Sequence, residues 1–292
     1  MLVNNEQLTE AQQQALVALS ACCQLTDGGL PVVYHQLLRQ KRNSDNNVLF
    51  YRNQDLLGFL SVYFFYEKAC EISLMVTPSH RRQGVSRLLL GTIIPLLEKK
   101  QMRTLIFSSS ASAQNSWLAK KGFTYQQSDY HMVRQSYEPI LISKPALHVR
   151  KADSTDLDAL CQLDTLCFPA EKSNSTLDRL NQLIKDNDYS VFVALQGERI
   201  VGKAHIRWQD DEALFSDIAI TPSLQGQGLG SELLVFCINY ALLQGEHRLS
   251  LDVGTSNKNA LTLYQRHGFQ NTETHDYWRI SLKKLKKQLI NE

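Results

Sequence analysis

The feature that most constrains this chain is an internal repeat. Val76-Thr77-Pro78-Ser79 recurs as Ile220-Thr221-Pro222-Ser223, with each residue 144 positions later. Two glycines keep this offset, whereas a Gly-Phe pair recurs after 146 positions. The paired glycines are Gly58 and Gly202, Gly84 and Gly228, and Gly122 and Gly268. Equal offsets over such a span predict two copies of one domain, residues 1–140 and 146–292, separated where Pro139 and Pro145 interrupt the chain.

Each copy has the same predicted order of elements, which is clearest in the second copy. Helices are predicted at 154–166, 229–243 and 257–267, and strands at 190–195, 200–208, 213–220, 248–253 and 277–282. Ser154 is the predicted N-cap of the first of these helices. A strand that leads through a glycine-rich loop into a helix is typical of α/β proteins. The predicted fold is therefore α/β, with two tandem domains that each have a mixed β-sheet flanked by helices.

A glycine-rich loop, Gln225 to Gly230, connects the strand at 213–220 to the helix at 229–243. The first turn of a helix has free backbone N–H groups, and glycines let an anion approach them closely. A pyrophosphate is the expected ligand, and a turn without any ligand is the alternative. The loop lacks the lysine of a P-loop, since Gly230 is followed by Ser231. A dinucleotide stays open, because Asp252 lies 22 residues after Gly230, near the spacing of a ribose-binding acid.

A second motif downstream decides between these ligands. It reads Asn257-x-x-Ala260-x-x-Leu263-Tyr264-x-x-x-Gly268-Phe269. Together with Gln225-x-x-Gly228-x-Gly230, it resembles the GNAT superfamily of acyl-CoA N-acyltransferases over the whole second half of the chain. Within that superfamily it is most similar to ribosomal-protein and N-terminal amine acetyltransferases and to tandem enzymes of the mycothiol synthase type. The resemblance implies an N-acetyltransferase that moves an acetyl group from acetyl-CoA to a primary amine by direct attack.

The resemblance also implies roles for residues of the second copy. The pantetheine arm of acetyl-CoA would extend the sheet beside the strand at 213–220, and the loop would hold the pyrophosphate. Tyr264 would protonate the leaving CoA thiolate, although a tyrosine on this helix could instead only pack on the core. Asn257 would hydrogen-bond the cofactor or cap its helix, or do both. The implied cofactor-binding residues are Ile218, Ala219, Ile220, Gln225, Gly226, Gln227, Gly228, Leu229, Gly230, Ser231 and Asn257.

Acetyl transfer also needs a base that takes a proton from the attacking ammonium. Asp252 lies 12 residues before Tyr264, at the strand position where the ribosomal-protein acetyltransferases that it resembles carry a glutamate. Its shorter side chain would suit a base that acts through a water molecule. The alternative bases, each of which could equally be structural, are Glu212, Asp217, His205 and His275.

The first copy has lost parts of both motifs. Its loop reads Arg81-Arg82-Gln83-Gly84-Val85-Ser86, where a serine replaces the last glycine and either arginine could help to bind a phosphate. Aligning the Gly-Phe pairs puts Leu118 in the place of Tyr264 and Ala111 in the place of Asn257. Leucine cannot donate a proton, so this copy is predicted to be a degenerate GNAT-like domain without catalytic activity.

Composition narrows the partners of the protein. The net charge of +2 does not predict binding to nucleic acid. Residues 146–292 carry 16 basic and 19 acidic residues. This acidic balance favours a cationic acceptor such as a small-molecule amine, a protein N-terminus or a lysine. The six cysteines have no zinc-binding spacing, so no metal is predicted. The absence of a membrane-length apolar run or a signal-peptide layout predicts a cytoplasmic protein without a membrane partner. The expected state is a monomer, as a pseudo-dimer of its domains, or a homodimer.

Two other functions stay open from the sequence. An acyl-CoA-binding regulatory or scaffold protein would bind acetyl-CoA without turnover, which the loss of the tyrosine in the first copy favours and Tyr264 in the second copy opposes. A nucleotide-binding protein would bind NAD or ATP instead.

Overall fold

The last residues of the chain belong to the same compact unit as the first residues. The computed structural model, which describes residues 1–111, 116–168, 176–209 and 212–291, divides into a first unit of Met1–Asp129 with Glu273–Glu292 and a second unit of Tyr130–Thr272. Ile280, Leu282 and Leu285 are buried in an apolar core of the first unit. The compact units therefore differ from the predicted partition into residues 1–140 and 146–292, because 130–140 joins the second unit and 273–292 joins the first.

The first unit is built on a mixed sheet with the strand order β1-β2-β3-β4-β5-β12. Its strands pair antiparallel except β4 and β5, which are parallel. Alternate residues of β3 face two different cores, since Leu60 and Val62 pack with α3 and α9 while Phe59 packs with α1. The elements are β1 (Leu2–Asn5), α1 (Glu10–Asp27), α2 (His35–Arg39), β2 (Asn47–Arg52), β3 (Asp55–Tyr63), β4 (Ala69–Val76), α3 (Val85–Lys99), β5 (Thr104–Ser110), α4 (Ser116–Lys120), β6 (Thr124–Arg134), β12 (Phe269–Ser281) and α9 (Leu282–Asn291).

The second unit has the same plan, with the strand order β7-β8-β9-β10-β11 followed by the end of β6. Again one neighbouring pair is parallel, β10 with β11, and the pairs β7–β8, β8–β9 and β9–β10 are antiparallel. One core lies under α7 and α8, and a smaller one lies under α5 and α6. The elements are β7 (His148–Lys151), α5 (Leu157–Cys167), α6 (Thr176–Lys185), β8 (Tyr189–Gln196), β9 (Arg199–Gln209), β10 (Glu212–Ile220), α7 (Leu229–Leu243), β11 (Leu249–Gly254) and α8 (Lys258–Arg266).

Local sequence explains where several helices begin. The side chain of Thr9 accepts a hydrogen bond from the backbone of Gln12, whose own side chain accepts one from Thr9, so this capping box starts α1. The predicted N-cap of α5, Ser154, is wrong. Ser154 instead lies inside a short 3-10 turn that precedes the helix, and Asp153 caps that turn because its carboxylate accepts from the backbone of Thr155. None of the described helices is both long and apolar enough to cross a membrane.

Candidate active site

The parallel strands β10 and β11 separate part-way along their length. Ala213, Leu214 and Phe215 pair with Leu249, Ser250 and Leu251, and no later residue of β10 is in register with β11 among the described residues. A bulge follows at Asp217, whose φ of 51° is unusual for a residue with a side chain. The β10 edge that carries Ile218, Ala219 and Ile220 is therefore not paired with β11, which leaves room for an extended ligand.

The glycine loop has the shape of an anion site. Gly226 and Gly228 have φ values of 77° and 86°, and a Cβ on either would meet no protein atom within 4 Å. Gly228 precedes the first residue of α7, and no side chain in the described chain caps this helix. The first turn of α7 thus presents backbone N–H groups beside an open space, which fits the pyrophosphate of a CoA ester.

Side chains around the loop fasten it to its neighbours. Nε2 of Gln225 donates to the carbonyl oxygen of Ile220 at 2.9 Å, and the Ser231 hydroxyl lies 2.9 Å from Nε2 of His267. Leu229 is buried in the core, so only its backbone faces the loop. A Cβ on Gly230 would lie 3.8 Å from both Ile220 and Leu263. The start of α7 therefore lies close to the end of β10 and to α8. Gln227 lies exposed between the two positive-φ glycines.

Helix α8 carries the second motif to the same core. Oδ1 of Asn257 accepts from the backbone N–H of Ala260 at 3.2 Å, so Asn257 is the N-cap of the helix. Tyr264 packs edge-on against Phe269, with ring centroids 6.2 Å apart. Burial, and to a lesser degree the nearby Cys237, raises the pKa of Tyr264 to about 12. The phenol therefore keeps its proton at neutral pH and can act as a donor.

Asp252 lies at the point where β10 and β11 separate. Leu251 and Val253 are buried on the side of the sheet that α7 covers, so alternation along β11 places Asp252 on the side of α5 and α6. Its side chain is 54% exposed. Oδ1 of Asp252 lies 2.8 Å from Nδ1 of His131, a residue of β6 that sequence reasoning missed. Tyr264 and Asp252 therefore belong to opposite faces of the sheet.

The other candidate bases already have charged partners. Oε1 of Glu212 accepts from Nε of Arg248 at 3.2 Å. Asp217 lies 2.9 Å from Nδ1 of His205, which is almost wholly buried. Burial opposes the ionisation of Asp217, but His205, Lys203 and Arg179 outweigh it and hold the pKa of Asp217 well below its usual range. His275 lies in the first unit, 3.5 Å from Glu273.

A buried lysine adds to the charged cluster beside His205. Lys203 is 1% exposed, forms an ion pair with Asp164 of α5 and lies 5.3 Å from the ring centroid of Phe168. Lys203 has no signal in the sequence, because a single lysine in an apolar strand usually marks an exposed edge strand. Lys203 and His205 alternate with Ala204 and Ile206 of the core under α7, so they face α5 and α6, as Asp252 does.

Comparison with known sequences decides the family. The sequence pattern described as "Acetyltransferase (GNAT) family" matches residues 15–123 and again residues 157–269. The chain belongs to this family. The predicted superfamily, the fold class with two tandem GNAT domains and the acyltransferase class are confirmed. As a GNAT enzyme, the protein transfers an acetyl group from acetyl-CoA to an amine.

Relatives of this GNAT protein include acetyltransferases that are named for two different acceptors. A mycothiol acetyltransferase of Streptomyces scabiei (strain 87.22) is 27% identical over 93% of this chain and 92% of its own. A candidate ribosomal protein bS18 alanine N-acetyltransferase of Bacillus subtilis (strain 168) is 28% identical over 42% of this chain and 80% of its own.

A GCN5-related N-acetyltransferase from Sphaerobacter thermophilus superposes with a TM-score of 0.73 at 16% identity, covering 96% of this chain and 95% of that one. A tandem GNAT protein from the clavulanic acid biosynthesis pathway has a TM-score of 0.68 at 12% identity, covering 96% and 98%. At these identities, the solved structures show a shared fold and no more.

The first GNAT repeat keeps the shape of the loop but uses its residues differently. Arg82 and Gly84 have φ values of 60° and 83°, close to those of Gly226 and Gly228. Arg81 is bound by Asp27 through both terminal nitrogens, at 2.7 and 2.6 Å, and Nε of Arg81 donates to Val76 at 3.1 Å. Of the two arginines that could help to bind a phosphate, Arg81 therefore has its guanidinium already engaged, and Arg82 stays the candidate.

The first unit also fills the place where its strands β4 and β5 part. The backbone N–H of Val32 donates to the Ser108 hydroxyl at 2.9 Å, and the Ser73 hydroxyl donates to the Val32 carbonyl oxygen. The residues 144 positions after Ser73 and Ser108 are Asp217 and Asp252. A segment of the chain thus bridges the two strands of the first unit at the positions that carry carboxylates in the second. Leu118, in the place of Tyr264, is buried in the described part of α4.

Proposed function

We propose that the second unit catalyses the acetyl transfer and that the first unit does not. The observation that carries this proposal is the convergence, in the second unit, of the unpaired β10 edge, the uncapped glycine loop and Tyr264. In the first unit, Val32 bridges the corresponding strands and a leucine replaces the tyrosine. The second unit therefore has both the space and the donor that the reaction requires.

The cofactor site consists of residues that fit a CoA ester. The backbone of Ile218, Ala219 and Ile220 would bind the pantetheine arm. The loop from Gln225 to Ser231 would bind the pyrophosphate through backbone N–H groups, with the side chains of Gln225 and Ser231 holding the loop in place. Asn257 would hold the start of α8 beside the cofactor. When bound, acetyl-CoA supplies the acetyl group as a thioester, which is activated toward amines.

The proposed chemistry divides between two faces of the sheet. Direct transfer passes through a tetrahedral intermediate, in which the amine nitrogen and the leaving sulfur are separate substituents of the acetyl carbon, so a base and an acid can reach them from different directions. Asp252, on the face of α5 and α6, accepts the proton of the amine, directly or through a water molecule. Tyr264, on the face of α7, donates to the departing sulfur. The acceptor is then the primary amine of a small molecule or of a peptide, entering from the side of α5 and α6.

The names of two relatives guide the choice of acceptor. One is named as a mycothiol acetyltransferase and one as an alanine N-acetyltransferase of a ribosomal protein. A suitable panel contains a peptide that begins with alanine, an N-terminally blocked lysine peptide, glucosamine and spermidine. Release of the CoA thiol, followed with a thiol reagent, is expected with at least one of these amines.

Calorimetry against acetyl-CoA, NAD and ATP separates the remaining functions. The proposal predicts binding of acetyl-CoA and turnover of an acceptor. Tight binding of acetyl-CoA without turnover of any amine would instead favour a regulatory or scaffold protein. The first unit, which has a leucine in place of the tyrosine, fits that function better than the second. Binding of NAD or ATP in preference to acetyl-CoA would contradict both.

A further inference from the structure

The proposed base has a histidine partner from the other repeat. Nδ1 of His131 lies 2.8 Å from Oδ1 of Asp252. His131 lies within the first predicted copy, residues 1–140, but the structure places it in the second unit. We propose that His131 is a positioning residue for Asp252, so that catalysis in the second unit depends on a residue of the first repeat. This inference rests on the proposed function, in which Asp252 accepts the proton of the amine.

Asp252 needs such a partner because of where it lies. Its side chain is 54% exposed, and an exposed carboxylate without a fixed neighbour samples several rotamers. The contact with His131 uses Oδ1, whereas Oδ2 has no hydrogen-bond partner among the described residues. The histidine thus holds one oxygen of Asp252 and leaves the other for the amine or for a bridging water.

His131 is itself held from several sides. Its side chain is 18% exposed, and Nε2 lies 3.7 Å from Oε1 of Glu212 on β10. Glu212 in turn accepts from Arg248, which precedes β11. The hydroxyl of Thr272 donates to the backbone carbonyl of His131 at 3.1 Å. The charged groups on β10 and β11 that lie close to the imidazole include Asp252 and Glu212, and Arg248 lies beyond Glu212.

The first unit lacks both members of the pair. His131 is eight residues after Phe123, and the residue eight after Phe269 is Tyr277. Tyr277 pairs with Ser108 across β12 and β5, and Ser108 is the counterpart of Asp252 at the offset of 144. The histidine and the carboxylate therefore occur together in the unit that has the proposed acid, and a tyrosine and a serine replace them in the other.

Steady-state kinetics on the full chain test the inference with the best acceptor of the amine panel. His131→Ala is expected to lower kcat by about 10- to 100-fold, the scale of one hydrogen bond to a charged group, with the KM for acetyl-CoA unchanged. His131→Asn is expected to restore part of kcat, because its amide nitrogen can donate near the position of Nδ1. His148→Gln, a change at an exposed histidine of β7 in the same unit, is the control and should retain wild-type kcat.

A double-mutant cycle shows whether His131 acts through Asp252. In the Asp252→Asn background, His131→Ala should cause no further loss of kcat. Multiplicative losses would overturn the inference, because they would mean that the two residues act independently. Thermal unfolding of each variant shows whether a loss of kcat reflects a loss of folded protein.

An NMR spectrum of the His131 imidazole needs no acceptor and no destabilising change. Asp252→Asn should change the ring ¹⁵N chemical shifts of His131 at constant pH, because Nδ1 loses a carboxylate oxygen at 2.8 Å. Unchanged ring shifts would contradict the contact. Wild-type kcat in His131→Ala overturns the inference and leaves the proposed function intact, whereas wild-type kcat in both Asp252→Asn and Tyr264→Phe overturns the proposed function itself.

Discussion

Replacing Tyr264 with phenylalanine isolates the chemistry of the phenol. The change removes one hydroxyl and keeps the ring that packs against Phe269. Burial raises the pKa of Tyr264 to about 12, from about 10 for a free phenol, which favours the protonated form. The hydroxyl is therefore available as a donor at every pH at which the enzyme would be assayed.

The raised pKa of Tyr264 also makes it a weak acid toward the leaving thiolate. A thiol of ordinary pKa, about 8.5, is a stronger acid than this phenol, so complete proton transfer from Tyr264 to the sulfur is uphill by about 5 kcal/mol. We therefore expect Tyr264 to act by a hydrogen bond to the developing thiolate. Such a bond to a charged group contributes about 1.5–3 kcal/mol, which corresponds to about a 10- to 150-fold loss of kcat in Tyr264→Phe.

Release of the CoA thiol at saturating acetyl-CoA measures this loss, and calorimetry measures the affinity for acetyl-CoA, which should change little. Tyr240→Phe is the matched control, because Tyr240 lies on α7 in the same unit and packs against Phe192 with ring centroids 4.9 Å apart. If Tyr264→Phe and Tyr240→Phe both retained wild-type kcat, the tyrosine would have no part in the reaction. A loss of affinity for acetyl-CoA equal to the loss of kcat would assign Tyr264 to binding.

Three further predictions follow from the geometry. Gly228→Ala, at φ 86°, should cost about 1–2 kcal/mol of stability and raise the KM for acetyl-CoA, whereas Gly84→Ala, at φ 83°, should cost as much stability without changing that KM. Asp217→Asn should lower the Tm at pH 7, because His205 helps to hold the pKa of Asp217 below its ordinary value. The difference in Tm between the wild type and Asp217→Asn should become smaller as the pH falls below about 4, because Asp217 of the folded wild type then begins to take up a proton. An equal difference in Tm at pH 7 and pH 3 would refute the ion pair of Asp217 with His205. Leu285→Ala, measured by urea unfolding, should destabilise the first unit by about 2–5 kcal/mol, and a neutral result would contradict the burial of the tail there.

Strand pairing could not be predicted from the repeat alone. The sequence places β6 in the first copy and β12 in the second, because each strand begins beside the Gly-Phe pair of its copy. Each strand contributes residues to both compact units, which depends on contacts between residues more than a hundred positions apart. The partner of Asp252 was missed for this reason, since a histidine 121 residues away has no local signal.

The sequence by itself determined the duplication, the glycine loop and the helix that carries Tyr264. These features are local, because positive φ angles, helix starts and apolar periodicity depend on neighbours along the chain. Only the tertiary structure decided that the tail completes the first unit, that Val32 bridges Ser73 and Ser108, and that His131 meets Asp252. Those contacts depend on which strand edges pair and which side chains then share a face, and the free energy of such pairing is set by residues far apart in sequence.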